Sequence, residues 1–394
     1  MKKILTAIIF ILCAVHLISA QTPKSPYRIF GQITTIENKV MAGYITWGNK
    51  RMWWTDFFEA SKKNNPYVPF FKNKGVYFAQ GTEYSVVPPT HVFICRFGDI
   101  EKIRLVGSNT IELYIKDGNY IDLKKGTSND IGGSVEIFDG IATYQVKWDQ
   151  ISEVKFSAPN TSFVASPEQP ITGIVRTPQG VYKGIVRWSA SMNILQSQFG
   201  ENTSLPKILI PFKNIVRIEQ SGSTINVSLG IGEQRNVPNF VNGSGPISVN
   251  MPNVGGVTIP INKFKIFEST PLESVDLLSY DDFKAPQRLK GEVVTQDGQT
   301  IKGNIAYDLD ESMDIEILDG LNDNIAYRIP FKYIKSIEPK NYRYSFITLR
   351  NGTTLSLGDG PDVNEKNSGV IVFPEGDNTP VYVAWKEVKQ ITFQ

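Results

Sequence analysis

The stretch VVTQDGQTIKGNIAYDLDESMDIEI, residues 293–317, decides the fold prediction because it has the pattern of a β-hairpin. Two alternating runs rich in β-branched residues flank Asp297-Gly298, and glycine readily accepts the positive φ that a hairpin turn requires. Related stretches occupy residues 31–47 and 173–188. The sequence therefore predicts an all-β protein with three tandem repeats.

Each of these hairpins carries two glycines, and an aromatic residue follows the second glycine by four positions. The glycines are 12, 11 and 12 residues apart, and the pairs are Gly31 and Gly43, Gly173 and Gly184, and Gly291 and Gly303. A glycine inside a strand commonly marks a place where a neighbouring backbone comes close. We therefore expect the second glycine of each pair to be structural.

A second pattern follows each hairpin and consists of apolar residues three positions apart, beginning at Phe97, Phe212 and Phe331. This spacing fits a strand end, one 3₁₀ turn and a new strand that face one core. The hairpin aromatic and this Phe are 24 residues apart in the second and third copies but 50 apart in the first. The first copy therefore contains an insertion of 26 residues.

These patterns divide the chain into three predicted units, each of one or two small SH3-like or Sm-like β-barrels. The stretches between them read as linkers, and we expect separate cores. The boundaries are 27–158 for unit 1, with an aromatic-rich insertion at about 52–90, 168–270 for unit 2, and 286–394 for unit 3.

The third hairpin, from Asp297 to Ile317, resembles the first motif of Sm-like small barrels, and IPFKYIKSIE at 329–338 resembles their second motif. The resemblance implies a small-barrel fold, although the RNA-contacting arginine-glycine pair of that family is absent. The C-terminal unit, with its Asp362-Val363-Asn364 stretch, is also similar to a recurrent exported bacterial β-repeat without an assigned activity.

Residues 1–20 have the pattern of a signal peptide. Lys2 and Lys3 precede a short apolar run, and Ser19-Ala20 offers a small-residue cleavage site. We expect an exported protein that is periplasmic, outer-membrane associated or extracellular, with no transmembrane segment in the rest of the chain.

Removal of this segment leaves 39 basic residues against 39 acidic ones, so the charge excess typical of nucleic-acid binding is missing. Cys95 and His91 become the single cysteine and the single histidine. An intrachain disulfide and a zinc site built from Cys and His are then excluded, and a Ser-His-Asp triad would need His91. We expect both residues to lie in the core or at its rim, and we expect no cofactor and no metal.

Acidic pairs such as Asp308 and Asp310 fall in predicted turns, where we expect solvated side chains. The segment GDGPDVNEKN at 358–367 is the one stretch that merits a calcium test, and a polar loop between strands is the simpler interpretation.

The aromatic insertion of unit 1 is the candidate ligand site, because aromatic rings suit stacking on a sugar or contact with a protein. A packed satellite core is the alternative. The candidate residues are Trp53, Trp54, Phe57, Tyr67 and Tyr77.

We expect a non-catalytic binding or scaffolding protein of the bacterial cell envelope, with an envelope protein or a glycan as partner. The alternative is a carbohydrate-active enzyme that uses carboxylates near these aromatics. Clustering of Asp56 or Glu59 with the aromatic rings would favour the enzyme.

Overall fold

The computed structural model describes residues 25–67, 70, 78–80, 83–85, 92–126, 130–189, 192–201, 208–222, 224–237, 245–376 and 379–394. The predicted signal segment, Tyr77 and His91 lie outside these residues. The described chain is all-β, as the sequence predicts.

The described part of unit 1 contains twelve strands, all of them paired antiparallel. Their bounds are β1 Phe30–Thr35, β2 Val40–Thr46, β3 Phe57–Lys62, β4 Phe78–Gln80, β5 Glu83–Ser85, β6 Val92–Arg96, β7 Ile100–Gly107, β8 Thr110–Ile115, β9 Tyr120–Lys124, β10 Val135–Phe138, β11 Thr143–Val146 and β12 Ile151–Phe156. Ten of them form one sheet in the order β11-β10-β2-β1-β12-β7-β8-β9-β3-β6, and β4 pairs with β5 alone.

The described residues of units 2 and 3 contribute ten strands each. In unit 2 the bounds are β13 Ile171–Thr177, β14 Gly180–Trp188, β15 Gln198–Glu201, β16 Ile208–Pro211, β17 Ile215–Ser221, β18 Thr224–Leu229, β19 Gln234–Val237, β20 Ile247–Met251, β21 Gly255–Ile259 and β22 Ile266–Ser269. In unit 3 they are β23 Lys290–Thr295, β24 Thr300–Tyr307, β25 Ile317–Asn322, β26 Ile325–Pro330, β27 Ile334–Pro339, β28 Tyr344–Leu349, β29 Thr354–Gly358, β30 Val370–Pro374, β31 Val381–Val383 and β32 Val388–Phe393. Apart from the β15–β16 pair, these strands form one 18-stranded sheet, and the sheets of the described residues are open.

The hairpin of each unit has its two glycines directly opposite each other, at Gly31–Gly43, Gly173–Gly184 and Gly291–Gly303. A Cβ atom on Gly43 would lie 2.1 Å from the carbonyl oxygen of Phe138, and one on Gly303 would lie 2.1 Å from that of Phe373. A Cβ atom on Gly184 would lie 2.2 Å from the carbonyl oxygen of Asn250. Because backbone occupies the side-chain position, the predicted structural role of these glycines is confirmed.

Single 3₁₀ turns join strands at the predicted positions, so the strand–turn–strand prediction is confirmed at Phe97, Phe212 and Phe331. The described 3₁₀ turns are Gly48–Lys50, Phe97–Asp99, Trp148–Gln150, Phe212–Asn214, Ile261–Lys263, Leu272–Ser274, Tyr280–Asp282, Phe331–Tyr333, Pro361–Val363 and Trp385–Glu387. None of the helices in the described ranges has the length and hydropathy needed to cross a bilayer.

The expectation of three separate cores is wrong. β21 of unit 2 pairs with β26 of unit 3, and the buried side chains of these two units form one contiguous cluster. Phe283, in the predicted linker before unit 3, is 3% exposed and packs in the core of unit 1. The β21–β26 pairing therefore joins units 2 and 3, and Phe283 of the predicted linker packs against unit 1.

Most of the predicted insertion lies in one long connection between two strands. β3 pairs with β6 in unit 1 as β25 pairs with β26 in unit 3, so residues up to Lys62 belong to the common pattern. A two-residue turn joins β25 to β26, whereas residues 63–91 join β3 to β6. The long β3–β6 connection therefore covers most of the insertion predicted at about 52–90, and those bounds stay a prediction.

Candidate binding cleft between the three units

The loop between β2 and β3 positions the first part of the cleft. An isolated β-bridge between Trp47 and Arg51 closes the loop. The side-chain carboxylate of Asp56, at the end of the loop, binds backbone N–H groups within it. Oδ2 of Asp56 accepts hydrogen bonds from the backbone N–H groups of Met52, at 2.7 Å, and Trp53, at 3.1 Å. Arg51, Trp53 and Asp56 consequently occupy fixed positions on one short loop.

The other two units close the equivalent loop with a polar side chain nine residues after the hairpin aromatic. In unit 3, Oε2 of Glu316 accepts from the N–H groups of Ser312, at 2.6 Å, and Met313, at 2.9 Å. In unit 2, Oγ of Ser197 accepts from Ile194 N–H at 3.4 Å. This repeated spacing is a sequence signal that would have identified Asp56 as structural.

Unit 2 supplies the second wall of the cleft through β14 and β20. The guanidinium of Arg187 donates to the carbonyl oxygens of Asn49 and Lys50, each at 3.0 Å, and lies 3.3 Å from Oδ2 of Asp56. Nδ2 of Asn250 donates to Oδ1 of Asp56 at 2.9 Å. Burial lowers the pKa of Arg187, and Asp56 opposes this effect. Both Asp56 oxygens are therefore committed to holding units 1 and 2 together.

Unit 3 supplies the third wall. Arg328 of β26 forms ion pairs with Glu59 at 3.0 Å and with Asp319 at 3.5 Å, and its guanidinium lies 5.9 Å from the centre of the Phe57 ring. Burial raises the pKa of Asp319 to about 6, while Arg328 acts to lower it. The Arg328 charge is already balanced by these neighbours.

The cleft between these walls has about 70 Å³ of space open to the centre of a water molecule. A single water needs roughly 10–15 Å³ by this measure, so the cleft has room for several waters or one small ligand. Ile185 and Val257 of unit 2 add an apolar surface beside Phe57.

Two donors of the cleft residues have no hydrogen-bond partner among the described residues. Nε of Arg51 is buried and lies 4.0 Å from Oδ1 of Asp130, beyond hydrogen-bonding distance, and the indole Nε1 of Trp53 is also buried without a partner. Burial raises the pKa of Asp130 to about 6, and Arg51 opposes this effect. Arginine and tryptophan nitrogens only donate, so each of these two atoms could pair only with an acceptor.

The predicted aromatic residues are mostly interior. Trp53, Trp54 and Phe57 are 1%, 0% and 6% exposed, and Tyr67 is half-buried against unit 3. Trp53 and Phe57 line the cleft, whereas Trp54 packs in the unit 1 core and donates its indole N–H to the carbonyl oxygen of Pro26 at 2.9 Å. The ligand-binding role of these residues stays a prediction, and Tyr77 lies outside the described residues.

The acidic turn of unit 3 is buried, so the prediction of solvated side chains is wrong for Asp308 and Asp310, which are 0% and 2% exposed. Nζ of Lys62, from unit 1, lies 3.2 Å from Oδ1 of Asp310 and 2.7 Å from Oε1 of Glu316. A cation from a distant unit thus offsets the burial of Asp310 and Glu316.

Two further predicted residues have clear positions. Cys95 is 0% exposed in the unit 1 core, as predicted, and burial raises the pKa of its thiol well above the usual value. Asp362 of the segment proposed for a calcium test is buried, and its Oδ2 accepts from the N–H of Asp319 at 2.7 Å. The described residues contain no group of three His, Cys, Asp or Glu side chains placed to hold a metal ion.

The chain matches no protein-family model and no curated protein. Among solved structures it is similar, at 11% sequence identity and a TM-score of 0.14, to a streptogramin B lyase, with 86% of this chain and 99% of that chain covered. A TM-score this low supports no argument about fold or activity. The resemblance to Sm-like barrels stays a prediction.

Proposed function

We propose that this is an exported, non-catalytic binding or scaffolding protein of the bacterial cell envelope, and that the cleft between the units is its ligand site. The signal-like residues 1–20 support export. The observation that carries the binding proposal is a pair of buried donors without a hydrogen-bond partner among the described residues, Nε of Arg51 and Nε1 of Trp53, on two residues that line one small cleft. A ligand oxygen would satisfy donors that otherwise remain desolvated at a cost.

The charges around the cleft support binding rather than catalysis. A general acid or base must be able to exchange a proton with a substrate. Asp56 accepts four contacts from the protein, and Glu59 is ion-paired with Arg328. The clustering of carboxylates and aromatics that would favour a carbohydrate-active enzyme is therefore used to join units.

We further infer that the three units are tandem repeats of one β unit. The paired glycines and the 3₁₀ turns before corresponding strands support this inference. The equivalent loops closed by Asp56, Ser197 and Glu316 support it as well. Packing of the three units around one cleft would then form a single binding site from residues of all three.

The binding proposal can be tested by titrating the protein with small carboxylates, inorganic phosphate and amino acids in isothermal calorimetry. We expect at least one probe to bind, and Arg51→Gln to weaken it at least tenfold, because the substitution removes the positive charge and the Nε donor that lacks a hydrogen-bond partner among the described residues. Arg235→Gln is the matched control, since Arg235 is exposed on β19 and should not affect binding.

Equal affinity in the Arg51 variant, or no binding by any probe, would contradict the proposed site. Conversion of a bound probe to product, followed by mass spectrometry, would contradict the non-catalytic assignment and favour the enzyme.

A further inference from the structure

A second groove, on unit 3, differs from its counterpart in unit 1 in the turn beside a tryptophan. In unit 1, residues 108–109 join β7 to β8, and the indole N–H of Trp148 donates to the carbonyl oxygen of Ser108 at 3.1 Å. In unit 3, residues 340–343 form a longer turn between β27 and β28. Trp385 occupies the position of Trp148, at the start of the 3₁₀ turn before the last strand.

The longer turn leaves the Trp385 donor available. The two tryptophans are equally buried, at 7% exposure. The indole N–H of Trp385, however, has no hydrogen-bond partner within the described part of the chain, and it is not sealed from solvent. Trp385 lines a groove of about 380 Å³, which is within the size range of small-molecule sites.

The turn also presents an aromatic ring to solvent from a backbone that hydrogen bonds hold in place. Tyr342 is 76% exposed and lines the same groove. Its carbonyl oxygen accepts from the N–H of Glu365 at 2.9 Å, and the N–H of Lys340 donates to the carbonyl oxygen of Tyr344 at 3.1 Å. Because the backbone is held on both sides, stacking on this ring would need to order the side chain but not the loop that carries it.

The polar side chains of the groove include both donors and acceptors. Nε2 of Gln296 donates to the carbonyl oxygen of Val388 at 3.0 Å, which orients the amide. The Oδ1 atom of Asn341 accepts a hydrogen bond from the N–H of Arg343 at 2.8 Å. Its Nδ2 group has no hydrogen-bond partner among the described residues and could donate to a ligand. Sugar hydroxyl groups both donate and accept, so they match a mixed set of amides beside an aromatic face.

The charges of the groove favour a neutral ligand. Lys340 is ion-paired with Glu338, and the exposed Glu365 and Lys386 carry opposite charges. No cation in excess remains to select an anion.

We propose that this groove binds a neutral pyranose sugar, which stacks on Tyr342 and accepts a hydrogen bond from the indole N–H of Trp385. The proposal concerns a different site from the cleft between the units, and it does not depend on that site. Hydroxyl groups of the sugar would face Gln296 and Asn341.

The test is isothermal calorimetry of the full mature chain with cellohexaose, maltohexaose, xylohexaose, mannohexaose and chitohexaose. We expect at least one neutral oligosaccharide to bind. Tyr342→Ala should weaken it at least tenfold through loss of the stacking face. Trp385→Phe should weaken it about five- to tenfold, because the ring stays in the core and only the N–H is lost.

Trp148→Phe is the matched control, because that indole N–H already has a partner in unit 1 and lies away from the groove. It should leave the affinity unchanged, as should Arg51→Gln, and thermal melts of each variant will report folding. Binding that survives both Tyr342→Ala and Trp385→Phe would overturn the proposal. Absence of binding to the whole panel at about 5 mM ligand, a concentration that would largely fill a site with a Kd of about 1 mM, would overturn it too.

Discussion

The loop between β2 and β3 in unit 1 and the loop between β24 and β25 in unit 3 have the same backbone scheme and opposite chemistry. In each loop an aromatic residue forms a β-bridge with the residue four positions later. These pairs are Trp47 with Arg51 and Tyr307 with Glu311. The bridging residue is thus a cation in one loop and a carboxylate in the other. The residue at this bridging position, Arg51 or Glu311, therefore decides whether the loop presents a donor or adds to an acidic cluster.

The partner unit reinforces this difference. In unit 1, the loop carboxylate meets Arg187 and leaves a small cleft. In unit 3, Glu316 meets Lys62, and the neighbouring Asp308 and Glu311 are buried. Burial raises the pKa of both Asp308 and Glu311 well above the usual range. The comparison teaches that a repeated loop acquires its chemistry from the side chain that another unit inserts into it.

The largest effect is expected from removal of the cation at the unit 3 loop. Burial alone would lower the pKa of Lys62, but Glu316 and Asp310 raise it above its usual value, so the ammonium is charged in the folded protein. Lys62→Met should reduce the free energy of unfolding by about 3–5 kcal/mol, the usual cost of leaving a buried carboxylate without its partner. Urea denaturation measures this loss.

The neighbouring exposed residue provides the control. Lys63→Met should change stability by less than about 0.5 kcal/mol, as is usual for surface positions. A loss below about 1 kcal/mol for the Lys62 variant would show that the acidic cluster does not need its cation, and the contrast between the loops would then disappear.

An intermediate effect is expected at the unit 1 loop. Asp56→Asn keeps one acceptor oxygen but loses the charge and places an N–H₂ group against existing donors. We expect a loss of about 2–3 kcal/mol in the free energy of unfolding, on the scale of hydrogen bonds to charged groups. Ser197→Ala, at the equivalent position of unit 2, should cost less than about 1 kcal/mol because its single bond is long, at 3.4 Å. Equal losses in the two variants would show that the inter-unit contacts of Asp56 contribute little.

The smallest effect concerns the pH dependence of unit 3. Burial, assisted by Asp319, raises the pKa of Asp362 to about 8 from an ordinary value of 3.8. The folded state therefore binds the proton more tightly, so stability is greatest below the unfolded pKa and is lost as the pH rises toward 8. Asp362→Asn imitates the protonated acid and should reduce this slope by about 1 kcal/mol per pH unit between pH 5 and 7.

Thermal melts from pH 5 to pH 8 measure the slope. Asp276→Asn, at an exposed position of the segment before unit 3, is the control and should leave the slope unchanged. A slope that is identical in the wild type and the Asp362 variant would mean that the folded state holds this carboxylate ionised.

The sequence by itself determined the local structure. The hairpins, the opposed glycines such as Gly291 and Gly303, and the 3₁₀ turn at Phe331 follow from turn chemistry and from apolar spacing within about twenty residues. The polar residue nine positions after each hairpin aromatic was equally available in the sequence. The wrong expectation for Asp308 and Asp310 arose because turn residues are usually solvated, and burial depends on neighbours that a local pattern does not contain.

Only the tertiary structure decided how the loops are charged and where the cleft lies. Lys62 reaches Glu316 across 254 positions of the chain, and Arg187 reaches Asp56 across 131. Alternation and turn signals carry no information about such pairs, because they fix the face of a strand and not the unit that packs against it. The edge pairing of β21 with β26 brings units 2 and 3 together, and packing of unit 1 against both then places each cation beside its carboxylate.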